Sequence, residues 1–275
     1  MRVCLVASLM MLATAGATRA QTVAAPTRDA VVDAASQMMG RALFLRCFCA
    51  EDNLSFDSQG HAVGLQKATD WTLAAVNVQK VERKGPGEVE LDGVRVAMRF
   101  AADRREFDRH PQNDEKMRIV IADTGDVMSF ERALKGVFAT GIDRDLQHAM
   151  PEYWQHYFDP GLPWPQDALT GQTIMNINAP SATASIAAVA HKSEAGYTPF
   201  AGRDHVAGTV RLRMVVDAEG MPRRIAVVQP LGYGLDERAV EALGKYRFAP
   251  AMIQGKAVAS NVAIDQEFVV VAAPR

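Results

Sequence analysis

The sequence has little cysteine, few aromatic residues and no long apolar run, and each shortage excludes a class of protein. Three cysteines in 275 residues exclude a disulfide-dense mini-protein. No stretch reaches the roughly eighteen apolar residues of a spanning helix, which excludes a multi-pass membrane protein. The formal net charge of −2 provides no overall cationic field for nucleic acid or anionic lipid. With 48% hydrophobic residues, the chain is globular, with enough core for one large domain or two small ones.

The first twenty residues have the pattern of a secretory signal peptide. Arg2 gives a short positive region, and small and apolar residues fill positions 3–15 almost without interruption. Small residues also precede two possible cleavage points, after Ala20 and after Ala17. We therefore predict a signal peptide over 1–20 and a periplasmic protein after its cleavage. The alternative is that residues 3–17 remain as an inner-membrane anchor.

No motif of catalysis or metal binding stands out. The sequence contains no nucleophile elbow, His-Glu-x-x-His pair, phosphate-binding loop or dinucleotide glycine fingerprint. The six histidines are scattered, and His148 and His156 fall two turns apart on a possible helix, too far apart to share a metal. We therefore predict no catalytic residue, no metal and no cofactor, and a protein that is not an enzyme.

Cys47 and Cys49 form a Cys-x-Cys pair inside an apolar run. In an extended strand, residues two apart lie about 6.5–7 Å from each other along the chain. That separation is at or beyond the usual reach of a disulfide. We interpret the pair as two small buried hydrophobic side chains. The alternatives are a redox pair with a distorted backbone, which an oxidising compartment permits, and a metal-binding pair.

Residues 36–160 are predicted to form a β-rich domain of unrecognised family. Asp92-Gly93 separates two alternating runs and predicts a two-residue hairpin turn. The strand after it would place Arg95 and Arg99 on a solvated face. The charged stretch 103–116 is predicted to be a solvated loop. Asp126 or Ser129 is expected to cap a following helix.

Residues 161–195 are predicted to be a linker. The segment contains several prolines and then a low-complexity run of Ser, Ala and Thr, with low charge and no periodic pattern. We assign it no regular secondary structure. The chain would then divide into a domain over 36–160 and a second domain over 196–275.

The last eighty residues predict the order strand, strand, helix, strand. Side chains alternate cleanly over 209–216, and a turn at 217–220 leads to a return strand. Asp236 is expected to cap a helix whose apolar residues share one face, and Phe248 is expected to be buried beneath the sheet. A last alternating strand begins at Val262. This order predicts an α+β fold, a small antiparallel sheet with one helix packed across it.

Four pieces of this region occur in an order that resembles the TonB C-terminal domain family. They are Gly208-Thr209-Val210 with Val216-Asp217-Ala218-Glu219-Gly220, then Leu235-Asp236-Glu237-Arg238-Ala239, then Tyr246-Arg247-Phe248-Ala249-Pro250-Ala251, and last Gly255-Lys256-Ala257-Val258. In this family the domain follows an inner-membrane helix and a long proline-rich spacer. It binds the TonB box, a short N-terminal segment of outer-membrane transporters, and passes on energy from the proton-motive force. The resemblance covers about residues 196–275 and implies a partner-binding function.

The resemblance also implies where a partner binds. Strand addition would use the edge of the terminal strand, with Val262, Ile264, Gln266 and Phe268 as expected peptide-binding residues. Tyr197 and Pro199 lie where the family often has a Tyr-Pro element, here interrupted by Thr198. The expected partner is a transporter's N-terminal segment or another envelope protein, and the same strand could join two copies of the chain. No nucleic acid is expected, and a small-molecule ligand is left open.

The resemblance does not extend to the anchor and the spacer. A flexible linker of about 35 residues spans only roughly 30–35 Å, which is short for crossing a periplasm. We therefore expect a protein that assists TonB-dependent transport. The alternatives are a periplasmic hydrolase or a structural envelope protein, with the activity in residues 36–160.

Overall fold

The computed structural model describes residues 29–270, so the predictions of a signal peptide and of an N-terminal anchor lie outside the described residues. The α-helices in this range are α1 (Ala30–Ser36), α2 (Val127–Val137), α3 (Arg144–Ala149), α4 (Glu152–Phe158), α5 (Pro199–Arg203) and α6 (Leu235–Gly244). The strands are β1 (Ala42–Leu45), β2 (Asn53–Phe56), β3 (Ala75–Gly85), β4 (Glu88–Ala101), β5 (Glu106–Ala122), β6 (Phe138–Ala139), β7 (Ala184–Ser185), β8 (Ala188–His191), β9 (Gly208–Val216), β10 (Pro222–Gln229), β11 (Arg247–Ala249), β12 (Ala251–Ile253), β13 (Lys256–Val258) and β14 (Ser260–Phe268). None of the helices within 29–270 combines the length and the apolarity that a membrane crossing requires.

The first region is built on a six-stranded sheet in the order β2-β5-β4-β3-β1-β6. β2 runs parallel to β5, and the other neighbours are antiparallel. Both faces of this sheet are covered. One face packs under α1 and α2 in a core that includes Leu43, Ile119 and Phe130. The other packs against the second region, so the prediction of a solvated face is wrong.

Arg95 shows why that prediction fails. Its side chain is 1% exposed, and it donates hydrogen bonds to the carbonyl oxygens of Leu73 at 2.8 Å and Ala50 at 2.8 Å. It also donates to the Asp52 carboxylate at 2.9 Å. A buried guanidinium is stable only when its donors are satisfied. Arg95 therefore holds the loop after β1 against the sheet, while Arg99 is exposed as expected.

The predicted turn at Asp92-Gly93 is also wrong, because β4 runs through both residues without a break. The turn lies at Pro86-Gly87 instead, between β3 and β4. A Cβ atom on Gly93 would lie 2.4 Å from the carbonyl oxygen of Asn77 on the neighbouring strand. Glycine is required here by that close approach, which accompanies a register shift between β3 and β4.

Most of the charged stretch 103–116 belongs to β5 rather than to a loop. The turn is limited to 102–105, and β5 pairs with β4 from Glu106 onward. The ring of Phe107 packs on Phe100 at 5.1 Å between centroids. The exposed part of a long hairpin and a loop are both solvated, so both are rich in charged residues and their sequences look alike. The predicted cap of the next helix is confirmed, since the Asp126 side chain accepts from the Ser129 N–H.

The second region has the predicted order, and the α+β fold is confirmed. β9 lies between β10 and β14 in a three-stranded antiparallel sheet, α6 provides the helix, and three short strands lie between α6 and β14. Alternate residues of β9 are buried from Val210 to Met214, and Val215 and Val216 are both buried. Phe248 is 5% exposed and lies in one cluster with Leu212 and Phe268, as expected.

That cluster also contains residues of the first region, and we call it the shared core. From the first region it includes Trp71, Met98 and Trp154, and from the second Leu212, Tyr233 and Phe248. The boundaries 36–160 and 196–275 stay a prediction. The segment between them is not without secondary structure, because β7 pairs with β12 and β8 pairs with β11.

A buried polar seam runs through the contact of the two regions. The Trp154 indole donates to Asp70 at 2.8 Å, and Thr72 bonds both Asp70 and the Gly234 N–H. Asp236 does not cap α6. Gly234 holds that position, and the buried Asp236 carboxylate accepts from the N–H groups of Leu231 and Gly232. Burial raises the pKa of Asp236 to about 8, and the nearby Asp70 carboxylate adds to the shift.

Candidate functional site

β14 is an edge strand of the second sheet. Among the strands of residues 29–270 it pairs only with β9, in an unbroken register from Ser260 opposite Val216 to Phe268 opposite Gly208. Backbone groups of successive residues in an antiparallel strand alternate between its two sides. The Asn261 N–H donates away from β9, to the Met175 carbonyl at 2.9 Å. The N–H groups of residues 263, 265 and 267 therefore also point away from β9.

Because of this alternation, the predicted peptide-binding residues are not the residues whose backbone groups point outward at the edge. The predicted residues have their N–H groups toward β9 and their side chains toward the core. Val262 and Ile264 are half-buried, while Gln266 and Phe268 are buried. Their role in peptide binding stays a prediction. The alternation in the sequence identified the strand and its two faces. It could not show which alternate residues have their N–H and C=O groups toward β9 and which have them toward solvent, because the register with β9 decides this.

Tyr197 lies at the end of β14, against Phe268, and Pro199 follows two residues later. The Tyr197 ring contacts the Phe268 ring edge-on, with 5.6 Å between centroids. Pro199 is the first residue of α5, and Thr198 caps that helix by accepting from the Ala201 N–H at 3.1 Å. Thr198 also donates to the Tyr233 carbonyl at 2.7 Å. The residue that interrupts the expected Tyr-Pro element therefore has a structural role of its own.

The beginning of the β14 edge is already occupied. Met175 forms a parallel bridge with Ser260, and its N–H donates to the Ala259 carbonyl at 2.8 Å. The side chain of Asn261 donates to Asn176 at 2.6 Å. Beyond these contacts, no hydrogen bond within residues 29–270 involves the backbone of Ala263 or Asp265 on the outer side. The free part of the edge thus begins at Ala263.

The outer face of the sheet is polar next to this free edge. Arg211 and Asp265 lie opposite each other on β9 and β14 and form two hydrogen bonds of 2.7 Å. Arg211 lowers the pKa of Asp265 through these bonds. Arg213, the next residue on the same face, lies between Ala263 on β14 and Ala226 on β10. Its side chain makes no hydrogen bond or ion pair with any residue in the described range, whereas that of Arg211 makes both.

A cavity of about 370 Å³ opens beside this face. Its polar lining combines the sheet with the 161–195 segment and consists of Trp164, Asn176, Asn178, Arg213, Arg224 and Asn261. Trp164 stacks on the buried His156, with ring centroids 3.5 Å apart. Burial and the charge of Arg213 lower the pKa of His156. One unused signal for this wall is the alternation of the apolar Met175 and Ile177 with Asn176 and Asn178 inside the predicted linker.

One carboxylate cluster has the spacing of a metal site, but its charges are already balanced. The carboxylates of Glu82, Glu90 and Asp92 lie within 4.8 Å of one another. Lys80 pairs with Glu82 at 2.6 Å, and Lys84 and Arg118 pair with Glu90. A network with this many cations stabilises the sheet surface without a metal ion.

The Cys47–Cys49 pair differs from its interpretation as two unlinked hydrophobic side chains, because a disulfide joins them. The chain leaves β1 at Leu45, and Phe48 adopts a left-handed conformation with φ of 47°. The two Cα atoms are consequently 5.1 Å apart, within the range of a disulfide and closer than in a strand. The disulfide and the non-extended backbone at Phe48 agree with the alternative from the sequence, a bonded pair with a distorted backbone.

Comparison with known proteins agrees with the fold of the second region. Residues 194–270 match the family model described as Gram-negative bacterial TonB protein C-terminal. The C-terminal region of the chain therefore carries a TonB C-terminal domain, a domain typical of bacterial envelope proteins and not enzymatic in general. No curated protein matches the chain significantly.

Proposed function

We propose that this protein binds an extended peptide of a partner by strand addition to the free edge of β14, and so assists TonB-dependent transport across the outer membrane. The observation that supports the proposal most directly is the set of unpaired outward backbone groups of Ala263 and Asp265, in a domain of the TonB C-terminal family. An added strand would satisfy these groups by main-chain hydrogen bonds.

The side chains along the edge favour selective pairing over indiscriminate aggregation. Asp265 and Glu267 are exposed on the same face of β14. Charges on an edge strand discourage unspecific strand pairing while the backbone stays accessible. The proposed partner is the N-terminal segment of an outer-membrane transporter, and the proposed location is the periplasm.

A proline substitution at the edge tests the proposal. Proline lacks the N–H donor but is tolerated on edge strands. Ala263→Pro should abolish binding of synthetic peptides that copy TonB boxes, measured by calorimetry on the full chain, while the melting temperature changes little. Ala263→Ser keeps the donor and should bind like the wild type. Since residues 263 and 265 point to the same side, Asp265→Pro should act like Ala263→Pro.

Two results would contradict strand addition at this site. One is tight peptide binding that survives both prolines. The other is a set of amide shifts on peptide addition that leaves residues 262–268 unchanged. A chain that dimerises through β14 would show a concentration-dependent mass, and the same Ala263→Pro variant would then be monomeric.

A further inference from the structure

The cavity beside the β14 edge has an uncompensated positive charge on one wall. Arg213 makes no ion pair within residues 29–270, whereas Arg211, two residues earlier on the same face, is paired with Asp265. The difference comes from the opposite strand, where Ala263 takes the place that Asp265 has next to Arg211. The cavity therefore contains an arginine, Arg213, that has no carboxylate opposite it on the neighbouring strand.

The second arginine of the cavity has a partner. Arg224 donates to both oxygens of Asp167, at 2.6 and 2.8 Å. This bidentate contact lowers the pKa of Asp167 to about 2, so the carboxylate is ionised at neutral pH. Arg224 and Asp167 thus fix the wall formed by the 161–195 segment and leave Arg213 as the cation available to a ligand.

We infer that this cavity is a subsite for an acidic side chain of the peptide that pairs with β14, with Arg213 as its cation. The inference rests on the proposed function. A residue paired opposite Ala263 would lie two strands from Arg213, about 9.5–10 Å between Cα atoms. Its side chain would project to the same face as those of Ala263 and Arg213.

The small Ala263 side chain makes this contact possible. An arginine and a glutamate side chain can together bridge two strand spacings when the residue between them is short. Asn176, Asn178 and Asn261 line the same cavity and supply amide groups that can donate to a carboxylate. Asn176 and Asn178 precede the region that matches the family model, so one wall of the cavity is formed by residues outside that region.

The test compares paired peptides on the full chain. Synthetic hexapeptides of alternating Val and Thr carry one Glu, moved through each position, and a matched set carries Gln instead. At one position the Glu peptide should bind about five- to tenfold more tightly than its Gln counterpart, and 0.5 M salt should reduce the preference. Arg213→Gln should bring the ratio near one, and Arg213→Lys should restore part of it.

A charge-neutral control separates Arg213 from its neighbour. The double variant Arg211→Ala/Asp265→Ala removes the existing pair without changing the net charge, and it should keep the Glu preference. Equal binding of Glu and Gln peptides, still abolished by Ala263→Pro, would overturn the subsite and leave strand addition intact. A Glu preference that persists in Arg213→Gln would also overturn it. Failure of every peptide to bind would overturn both proposals.

Discussion

The two sheets of this molecule differ in how much of their surface is free. The six-stranded sheet is covered on one face by α1 and α2 and on the other by the shared core. The three-stranded sheet buries one face in that same core, and much of its other face is polar, with Arg211, Arg213 and Asp265 exposed. The outward backbone groups of Ala263 and Asp265 on its edge strand also make no hydrogen bond within residues 29–270.

This difference assigns separate tasks to the two regions. A sheet buried on both faces offers few side chains or backbone groups to a partner, so its contribution is to hold other elements in place. The second sheet packs on the first through the shared core, and its outer face remains exposed beside the free part of its edge. If the two regions share one core, a substitution that destabilises the second region should also lower the unfolding free energy of the first.

The largest expected effect is that of Phe248→Ala. The ring is 5% exposed in the shared core, and truncation of such a ring costs about 3–5 kcal/mol of unfolding free energy. All three tryptophans lie outside the second region, at positions 71, 154 and 164. Chemical unfolding followed by their fluorescence should therefore shift by the full amount. An unchanged fluorescence transition would mean that the two regions unfold separately.

The matched control for this substitution is Val269→Ala. Val269 is 66% exposed just after β14, and its truncation should change the unfolding free energy by less than about 0.5 kcal/mol. A loss of similar size in both variants would show that the Phe248 ring contributes no more than a surface residue.

A second expected effect concerns pH and the seam between the regions. Burial raises the pKa of Asp236 to about 8, and it also raises the pKa of Asp70. The folded protein then retains a proton that the unfolded chain releases near pH 4. Stability should therefore fall as pH rises from 5 to 8, by at most about 1.4 kcal/mol per pH unit for one proton. Thermal unfolding across this range measures the slope.

Asp236→Asn removes one of the groups that titrate in this range, and the slope between pH 5 and 8 should become shallower, with the part due to Asp70 and to Glu237, whose pKa burial raises to about 7, remaining. The exposed Glu267 offers a control, since Glu267→Gln should leave the slope as it is. A wild-type protein that becomes more stable from pH 5 to 8 would contradict this account of the seam.

The smallest effect is expected for the Cys47–Cys49 bond in the first region. Its loop is very short, so the bond restricts the unfolded chain only slightly, and the double variant Cys47→Ser/Cys49→Ser should lose about 1.5 kcal/mol. Alkylation of the unreduced, unfolded protein followed by peptide mass mapping should find both sulfurs protected. Labelling of either cysteine would show that the bond does not form.

The sequence predicted local order well where one periodicity dominates. The alternation along β9, the helical face of α6 and the Asp126 cap each depend on residues close in the chain. The errors arise where distant segments decide the outcome. Gly93 resembles a turn residue until β3 is placed against it, and Arg95 resembles a surface residue until the loop after β1 supplies acceptors.

The candidate site was predicted in part for the same reason. The terminal strand could be identified from its pattern, but its free backbone groups depend on the pairing with β9. The cavity depends on the return of residues 174–178 to the sheet, and their short alternation is obscured by the prolines and the low-complexity run around it. The free backbone groups have no signature within a short window of sequence.

The bridge between Met175 and Ser260 has a consequence for the length and alignment of any bound strand. The edge from Ala263 to Phe268 is about 20 Å long, enough for six residues. A strand that extends past Ala263 meets Asn176, whose side chain is bonded to Asn261. For the proposed added strand, the segment would be a stop that fixes its alignment, so a peptide shifted by two residues would lose its outermost pairs instead of gaining new ones.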